Sequence, residues 1–217
     1  MTRLKIDFIS DISCPWCVVG LRGLEEALAR TAGDVEAEIH IQPFELNPDM
    51  PAGGQNLHEL IAGRKTTSAA QFADFQKTIT QRAATLGFTM NYADDFRVYN
   101  TFDAHRLIYW AGTLGLAKQL KSALFDANFT RNEPMDDAVA LASAAGRAGL
   151  EPEAAAEILA SARYGEEVRA EEQLWRSRGI SSVPAIVIND TYLISGGQSA
   201  DVFEQALRQI AAEAATA

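Results

Sequence analysis

The sequence predicts an α/β protein with a large all-helical insertion after its second strand, and three stretches carry that prediction. An apolar run with Leu4, Ile6, Phe8 and Ile9 passes through Ser13-Cys14-Pro15-Trp16-Cys17 into a helix-spaced stretch, after which residues 35–42 alternate apolar with polar. Residues 57–164 are rich in Ala, Leu, Gln and Glu and are broken by turn formers at helix-length intervals. The C-terminal part returns to strand signals, with Ala185-Ile186-Val187-Ile188 and Tyr192-Leu193-Ile194-Ser195 on either side of Asn189-Asp190.

In order, the first strand is expected over residues 3–10 and the first helix from Pro15 through Leu21, Leu24 and Leu28 to Arg30, with Gly33 and Asp34 as the break. Val35, Ala37, Ile39 and Ile41 alternate with Glu36, Glu38, His40 and Gln42, a half-buried second strand with His40 on its polar face. The turn-rich stretch from Phe44 to Gly54 then leaves the sheet. Four to six helices and no strand are expected between Leu57 and Tyr164, with helix starts at Asp136-Asp137 and Glu151-Pro152-Glu153, where acidic residues meet the positive dipole end. A further helix spans Gly165 to Ser177, and Trp175 reads as core or interdomain packing. Asn189-Asp190 reads as a tight hairpin turn. Ser199 and Asp201 open a terminal helix whose buried face is Val202, Phe203, Ala206, Leu207 and Ile210.

Composition narrows the function classes. With 47% hydrophobic and 22% charged residues the chain is an ordinary globular protein, and its net charge of -10 opposes nucleic acid or an anionic membrane as partner. There is no run of about 18 apolar residues to span a bilayer. Asp7 and Asp11 interrupt the N-terminal segment, which argues against a secretory signal and leads to the expectation of a cytoplasmic protein. Nothing marks a dedicated dimerisation segment, so the oligomeric state stays open.

Both cysteines of the chain, Cys14 and Cys17, fall in one Cys-x-x-Cys between a strand and a helix. Pro15 suits the first turn of that helix, where its missing N–H costs nothing, so Cys14 stands at the N-terminus with Cys17 one turn later. Unpaired N–H groups and the helix dipole there stabilise the Cys14 thiolate, while Asp11, if close, would oppose it. Trp16, between the cysteines, is expected to project toward solvent. A zinc site would need two more ligands, and His40, His58 and His105 stand at no short ligand spacing. As a static disulfide the pair would close a very short loop and remove little unfolded-state entropy. The expected chemistry is thiol–disulfide exchange through a mixed disulfide, with Cys14 attacking and Cys17 resolving; no metal or bound cofactor is called for.

Without the helical block the order is strand, helix, strand, helix, strand, strand, helix, which is the order of a thioredoxin fold. The chain resembles, more narrowly, cytoplasmic DsbA-family oxidoreductases of the FrnE type. The resemblance rests on Cys14-Pro15-Trp16-Cys17, the Asn47-Pro48-Asp49-Met50-Pro51 loop, the segment from Asn100 to Leu107, Val183-Pro184 and Gly196-Gly197-Gln198. It implies a thioredoxin-like domain of residues 1–46 and 165–217, interrupted by a helical domain of residues 47–164. It also implies a cis Val183-Pro184 bond facing the cysteines, so that Pro15, Trp16, Val183 and Pro184 form the shell of the site. From residues alone, Pro184 could equally begin a strand. Asn100 and His105 are candidates for a substrate groove wall; the competing role for His105 is packing, with Phe102 and Trp110 as core. Substrates would be thiol- or disulfide-containing proteins or small molecules, with glutathione open as a redox partner. Kappa-class glutathione transferases and hydroxychromene-carboxylate isomerases are similar in layout but typically carry serine at the position matching Cys14, and a non-catalytic binding module is a further alternative.

Overall fold

The computed structural model describes residues 1–63 and 68–215. Its elements in order are β1 (Thr2–Ser10), α1 (Pro15–Arg30), β2 (Val35–Pro43), β3 (Gln55–Asn56), α2 (Leu57–Gly63), α3 (Ala69–Thr85), β4 (Arg97–Val98), α4 (Phe102–Thr113) and α5 (Ala117–Phe125). A π-helical turn, Asp126–Thr130, continues α5 and is followed by α6 (Ala138–Arg147), α7 (Pro152–Leu159), α8 (Gly165–Ser177), β5 (Ala185–Ile188), β6 (Tyr192–Ser195) and α9 (Ala200–Ala214).

The main sheet has the order β2-β1-β5-β6. β1 and β2 are parallel, Thr2 opposite Val35 through Ser10 opposite Pro43, a pairing that needs the crossover α1 provides. β1 is central and covered on both faces, so Leu4, Ile6, Phe8 and Ile9 are all fully buried and its sequence reads as an apolar run. β5 pairs antiparallel with β1, and β6 antiparallel with β5. The connection between β5 and β6 is Asn189 to Thr191, with Asn189 at φ 51° and Asp190 at φ 56°, left-handed conformations that Asn and Asp tolerate best among non-glycine residues, and the Thr191 N–H closes the turn onto the Ile188 carbonyl at 3.1 Å. Asn189 Oδ1 accepts from the Lys5 backbone N–H at 3.0 Å, which ties the turn to β1. The Ser199 hydroxyl accepts from Val202 N–H to cap α9, and Phe203, Leu207 and Ile210 bury that helix's inner face.

This is the thioredoxin-like fold with a large helical insertion after the second strand. Among the described residues the insertion holds six α-helices, α2 to α7, and one departure from expectation: β3 and β4 form a small antiparallel ladder, Gln55 opposite Val98 and Asn56 opposite Arg97. A ladder of two residues has no period to read in sequence. Its position follows from Gly54, at φ +63°, where an added Cβ would lie 2.4 Å from the Val98 carbonyl oxygen. A continuous hydrophobic core joins Phe8, Cys17 and Leu21 to Ile79, Leu107, Leu124 and Phe129 of the insertion. Trp175 of α8 is buried in a second cluster with Ile9, Phe44, Ile180 and Ala185, as expected of packing. No helix among the described residues is long and apolar enough to cross a membrane.

Candidate active site

Cys14 is the N-cap of α1, in extended backbone at φ -93° and ψ 110°, with Pro15 at the first helical position. The Cys14 N–H donates to the Asp11 carbonyl at 3.3 Å and the Cys17 N–H to the Cys14 carbonyl at 3.1 Å, so the first turn of α1 sets the spacing of the pair. Both cysteines are free thiols; Cys14 is 4% exposed and Cys17 fully buried. Burial, reinforced by the adjacent Cys14 sulfur, pushes the Cys17 thiol well above its ordinary range, and the charge of Lys121 works in the opposite direction.

The Val183-Pro184 bond is cis, and Cys14 Sγ donates to the Val183 carbonyl at 3.5 Å. Close approach of this loop to α1 depends on two glycines. A Cβ on Gly20 would meet Pro184 Cγ at 3.0 Å, and one on Gly197 would meet the Trp16 carbonyl oxygen at 2.7 Å. The Gly196 N–H donates to the Pro184 carbonyl at 2.8 Å, which anchors the proline loop to the end of β6.

Behind the cysteines lies a buried polar network. Asp11 accepts from Ser13 N–H (3.2 Å), Ser13 hydroxyl (2.8 Å), Leu46 N–H (2.7 Å) and Thr101 hydroxyl (2.8 Å). His105 Nε2 is 3.6 Å from Asp11 Oδ1. Burial would raise the Asp11 pKa; the imidazole and the hydrogen bonds from Leu46 and Thr101 prevail and bring it from 3.8 to about 2. Asn128, in the π-helical turn, donates to the Ile12 carbonyl at 3.1 Å and so pins the loop that carries Cys14. Lys121 on α5 is fully buried, its ammonium 5.0 Å from the Phe125 ring centroid and without a hydrogen-bond partner. Burial lowers its pKa to about 8 against the opposing pull of Cys17, Asp11 and Cys14.

A cavity of about 480 Å³ is lined by Ser13 and Pro15, the residues on either side of Cys14 in the chain. Helix α2 supplies Leu57, Leu60 and Ile61 to its lining, α3 supplies Phe72 and Phe75, and Tyr92, Phe96, Val98 and Phe129 line it as well. Trp16 departs from expectation: it is half-buried, with the Arg82 guanidinium 5.3 Å above its ring and Phe75 edge-on at 6.3 Å. Neither Asn100 nor His105 lines this cavity. Asn100 accepts from Phe102 N–H and donates to the Pro48 carbonyl, which shapes the entry to α4. His105 is 1% exposed and faces Asp11. Trp110 is buried, whereas Phe102 is half-buried beneath the Arg169 guanidinium, 3.8 Å away. Lys121 and Asn128 join the site unannounced by the sequence motifs, and Thr101 joins it from within the Asn100 to Leu107 segment without being singled out there. Of these only Lys121 leaves a local trace, as a cation inside the apolar stripe Leu120, Leu124 and Phe125. Among the described residues no group of three or more His, Cys, Asp or Glu could hold a metal ion.

A dithiol at the start of a helix, set against a cis-proline loop on a thioredoxin-like sheet, defines the class of this protein as a thioredoxin-like thiol protein. Residues 5–208 match the model of the DSBA-like thioredoxin domain, and the chain belongs to that family. It is similar to a probable DsbA oxidoreductase from Streptomyces coelicolor, with 32% identity, a TM-score of 0.87 and coverage of 95% of this chain and 89% of the other. A 2-hydroxychromene-2-carboxylate isomerase shares the fold at 16% identity and a TM-score of 0.72, covering 98% of each chain. The cytosolic disulfide reductase DsbM from Pseudomonas aeruginosa, solved with GSH, shares it at 16% identity and a TM-score of 0.62, over 94% of this chain and 98% of that one.

Proposed function

We propose that the protein is a thiol–disulfide oxidoreductase that works through Cys14 and Cys17. The observation that carries this is the placement of the Cys14 sulfur at the N-cap of α1 and against the Val183 carbonyl, with Cys17 one turn behind it. The Cys14 thiolate attacks one sulfur of a substrate disulfide; the new S–S bond forms as the substrate's own bond breaks, and one substrate thiolate leaves. Cys17, after losing its proton, attacks Cys14 Sγ, which closes the Cys14–Cys17 disulfide and expels the second substrate thiolate. Two electrons pass to the substrate, and its two thiolates take up the two protons the cysteines give away. The charge of Lys121 lowers the cost of the anionic Cys17 sulfur.

Pro15, Trp16, Val183 and Pro184 form the shell of this reaction. The segment of residues 47–164 acts as the substrate-facing unit on a thioredoxin-like domain of residues 1–46 and 165–217. Thiol- or disulfide-bearing molecules are the substrates, the setting is reducing and cytoplasmic, and glutathione is the thiol that regenerates the dithiol. The DsbM neighbour, cytosolic and solved with GSH, supports those last two points at the level of fold. A glutathione-dependent isomerase would leave Cys17 without a role.

The test is the reduction potential of the pair in glutathione buffers, with Cys14→Ser as control. The expected result is a reversible two-electron couple in wild type and none in the variant. A potential near about -270 mV marks a reductase and one near about -120 mV an oxidant, while absence of a reversible couple refutes the proposal.

A further inference from the structure

We infer that the cavity beside Cys14 is the binding site for the uncharged apolar body of a low-molecular-weight disulfide, one whose sulfur carries an aryl-alkyl group. This rests on the dithiol mechanism above and names its substrate class. Ser13 and Pro15, the neighbours of Cys14 in the chain, both line the cavity, so a molecule seated there lies beside the turn that carries the nucleophile. The volume, about 480 Å³, falls within the ~300–1,000 Å³ typical of small-molecule pockets.

The walls decide the chemistry. Among the described residues that line the cavity none carries a charge, and the polar ones are Ser13, Asn47, Gln76 and Tyr92. Two aromatic groups line it. Phe72 and Phe75 stack with centroids 6.3 Å apart; Tyr92, Phe96 and Phe129 make the other group, with centroids 5.1 and 6.1 Å apart. Such walls favour an aromatic guest by area and by ring geometry. An anionic group seated inside the cavity would lose its water without gaining a counter-charge from any described lining residue. Burial and the Cys14 sulfur both raise the Tyr92 pKa, so the one phenol in the cavity stays a neutral donor. Two larger cavities of about 660 Å³ are lined by charged residues such as Arg22, Glu25, Glu38 and Lys118, and neither includes a residue from 11 to 17.

Pre-reduced protein is mixed with benzyl methyl disulfide or with bis(2-hydroxyethyl) disulfide, and oxidation of the Cys14/Cys17 pair is followed by mass spectrometry after acid quench. Each rate is normalised to that disulfide's rate with dithiothreitol, which removes intrinsic reactivity. The expected ratio of benzyl to hydroxyethyl is at least about tenfold, the advantage of burying one aromatic group. It should fall toward one in Phe75→Glu, a half-exposed position that tolerates charge, and in Leu60→Gln, each with circular dichroism matching wild type. Equal normalised rates in wild type would overturn the inference and leave the dithiol mechanism standing. A strong preference for a disulfide peptide with flanking Phe over the benzyl compound would overturn the small-molecule assignment. Failure of every disulfide to oxidise the pair would refute the mechanism itself.

Discussion

Asp11 and Glu45 are two buried carboxylates, 0% and 1% exposed, at adjacent points of one structure, and their surroundings move them in opposite directions. Asp11 gathers four hydrogen bonds and a histidine and is held at about 2. Glu45 is pushed to about 7 by burial and by the second carboxylate, Glu172, with Arg169 offsetting only part of it. Their backbones share the work: the Leu46 N–H serves Asp11, while the Glu45 N–H donates to Glu172 at 3.0 Å. Burial sets the scale of the electrostatic effect, and the partners set its sign. Asp11 fixes the loop that carries Cys14; the Glu45 cluster fastens α8 to the end of β2.

The largest expected effect comes from breaking the first half of this comparison. Asp11→Ala leaves Leu46 N–H, Thr101 and His105 facing a void, at a cost of about 3–5 kcal/mol. At about 2–4 °C per kcal/mol for a chain of this size, the thermal midpoint should fall by about 10 °C. The depressed pKa also fixes a pH window. The stability Asp11 contributes is complete above its unfolded value of 3.8 and is lost as pH falls through about 2, so acid unfolding should be flatter across that window in Asp11→Ala. Urea titrations from neutral pH to pH 2 measure both effects, and an unchanged midpoint would show that the network is not structural.

Lys121 sharpens the comparison because it is the buried cation facing the same group of anions. Its lowered pKa means that the folded state gains stability relative to the unfolded as pH rises from about 8 toward 10.5, and forfeits it as pH falls. Lys121→Met should therefore match or exceed wild type in stability at pH 7, with the difference shrinking as pH approaches 10.5. The same variant should slow the Cys17 resolving step, because a cation that eases the buried thiolate is gone. Single-turnover release of the second substrate thiolate against pH should show the rate-limiting ionisation moved upward. Faster resolution in the variant would reverse the assigned role.

Much of this arrangement was legible in the sequence where the signal is local. The run from Leu4 to Ile9, Pro15 after Cys14, Asn189-Asp190 and Ser199 each specify backbone within a few residues, and the sheet, the helix start, the hairpin and the α9 cap follow them. What escaped depends on distant partners. Trp16 is half-buried rather than fully solvent-facing because Phe75 and Arg82 of α3 meet it. Thr101 reads as an ordinary helix-flanking residue until Asp11, ninety positions earlier, is brought to 2.8 Å. The cavity draws its lining from six separate stretches, so no window of sequence contains it.

The smallest expected effect tests the second half of the comparison. Glu45→Gln keeps the size and most hydrogen-bonding capacity of the side chain while removing the charge that Glu172 repels; Arg169 retains Glu172 as partner at 2.9 Å. With its pKa raised from 4.5 to about 7, the stability Glu45 contributes is complete below pH 4.5 and is lost as pH rises through 7. Wild type and variant should therefore melt alike at pH 4.5 and diverge above it, Glu45→Gln becoming the more stable by pH 8. Arg169 is half-exposed, so solvent screens part of the coupling and the divergence should amount to no more than a few degrees. Melting midpoints at the two pH values measure it. If the variant were instead the less stable at pH 8, the bridge to Arg169 would outweigh both burial and Glu172, and partner count rather than partner sign would separate Glu45 from Asp11.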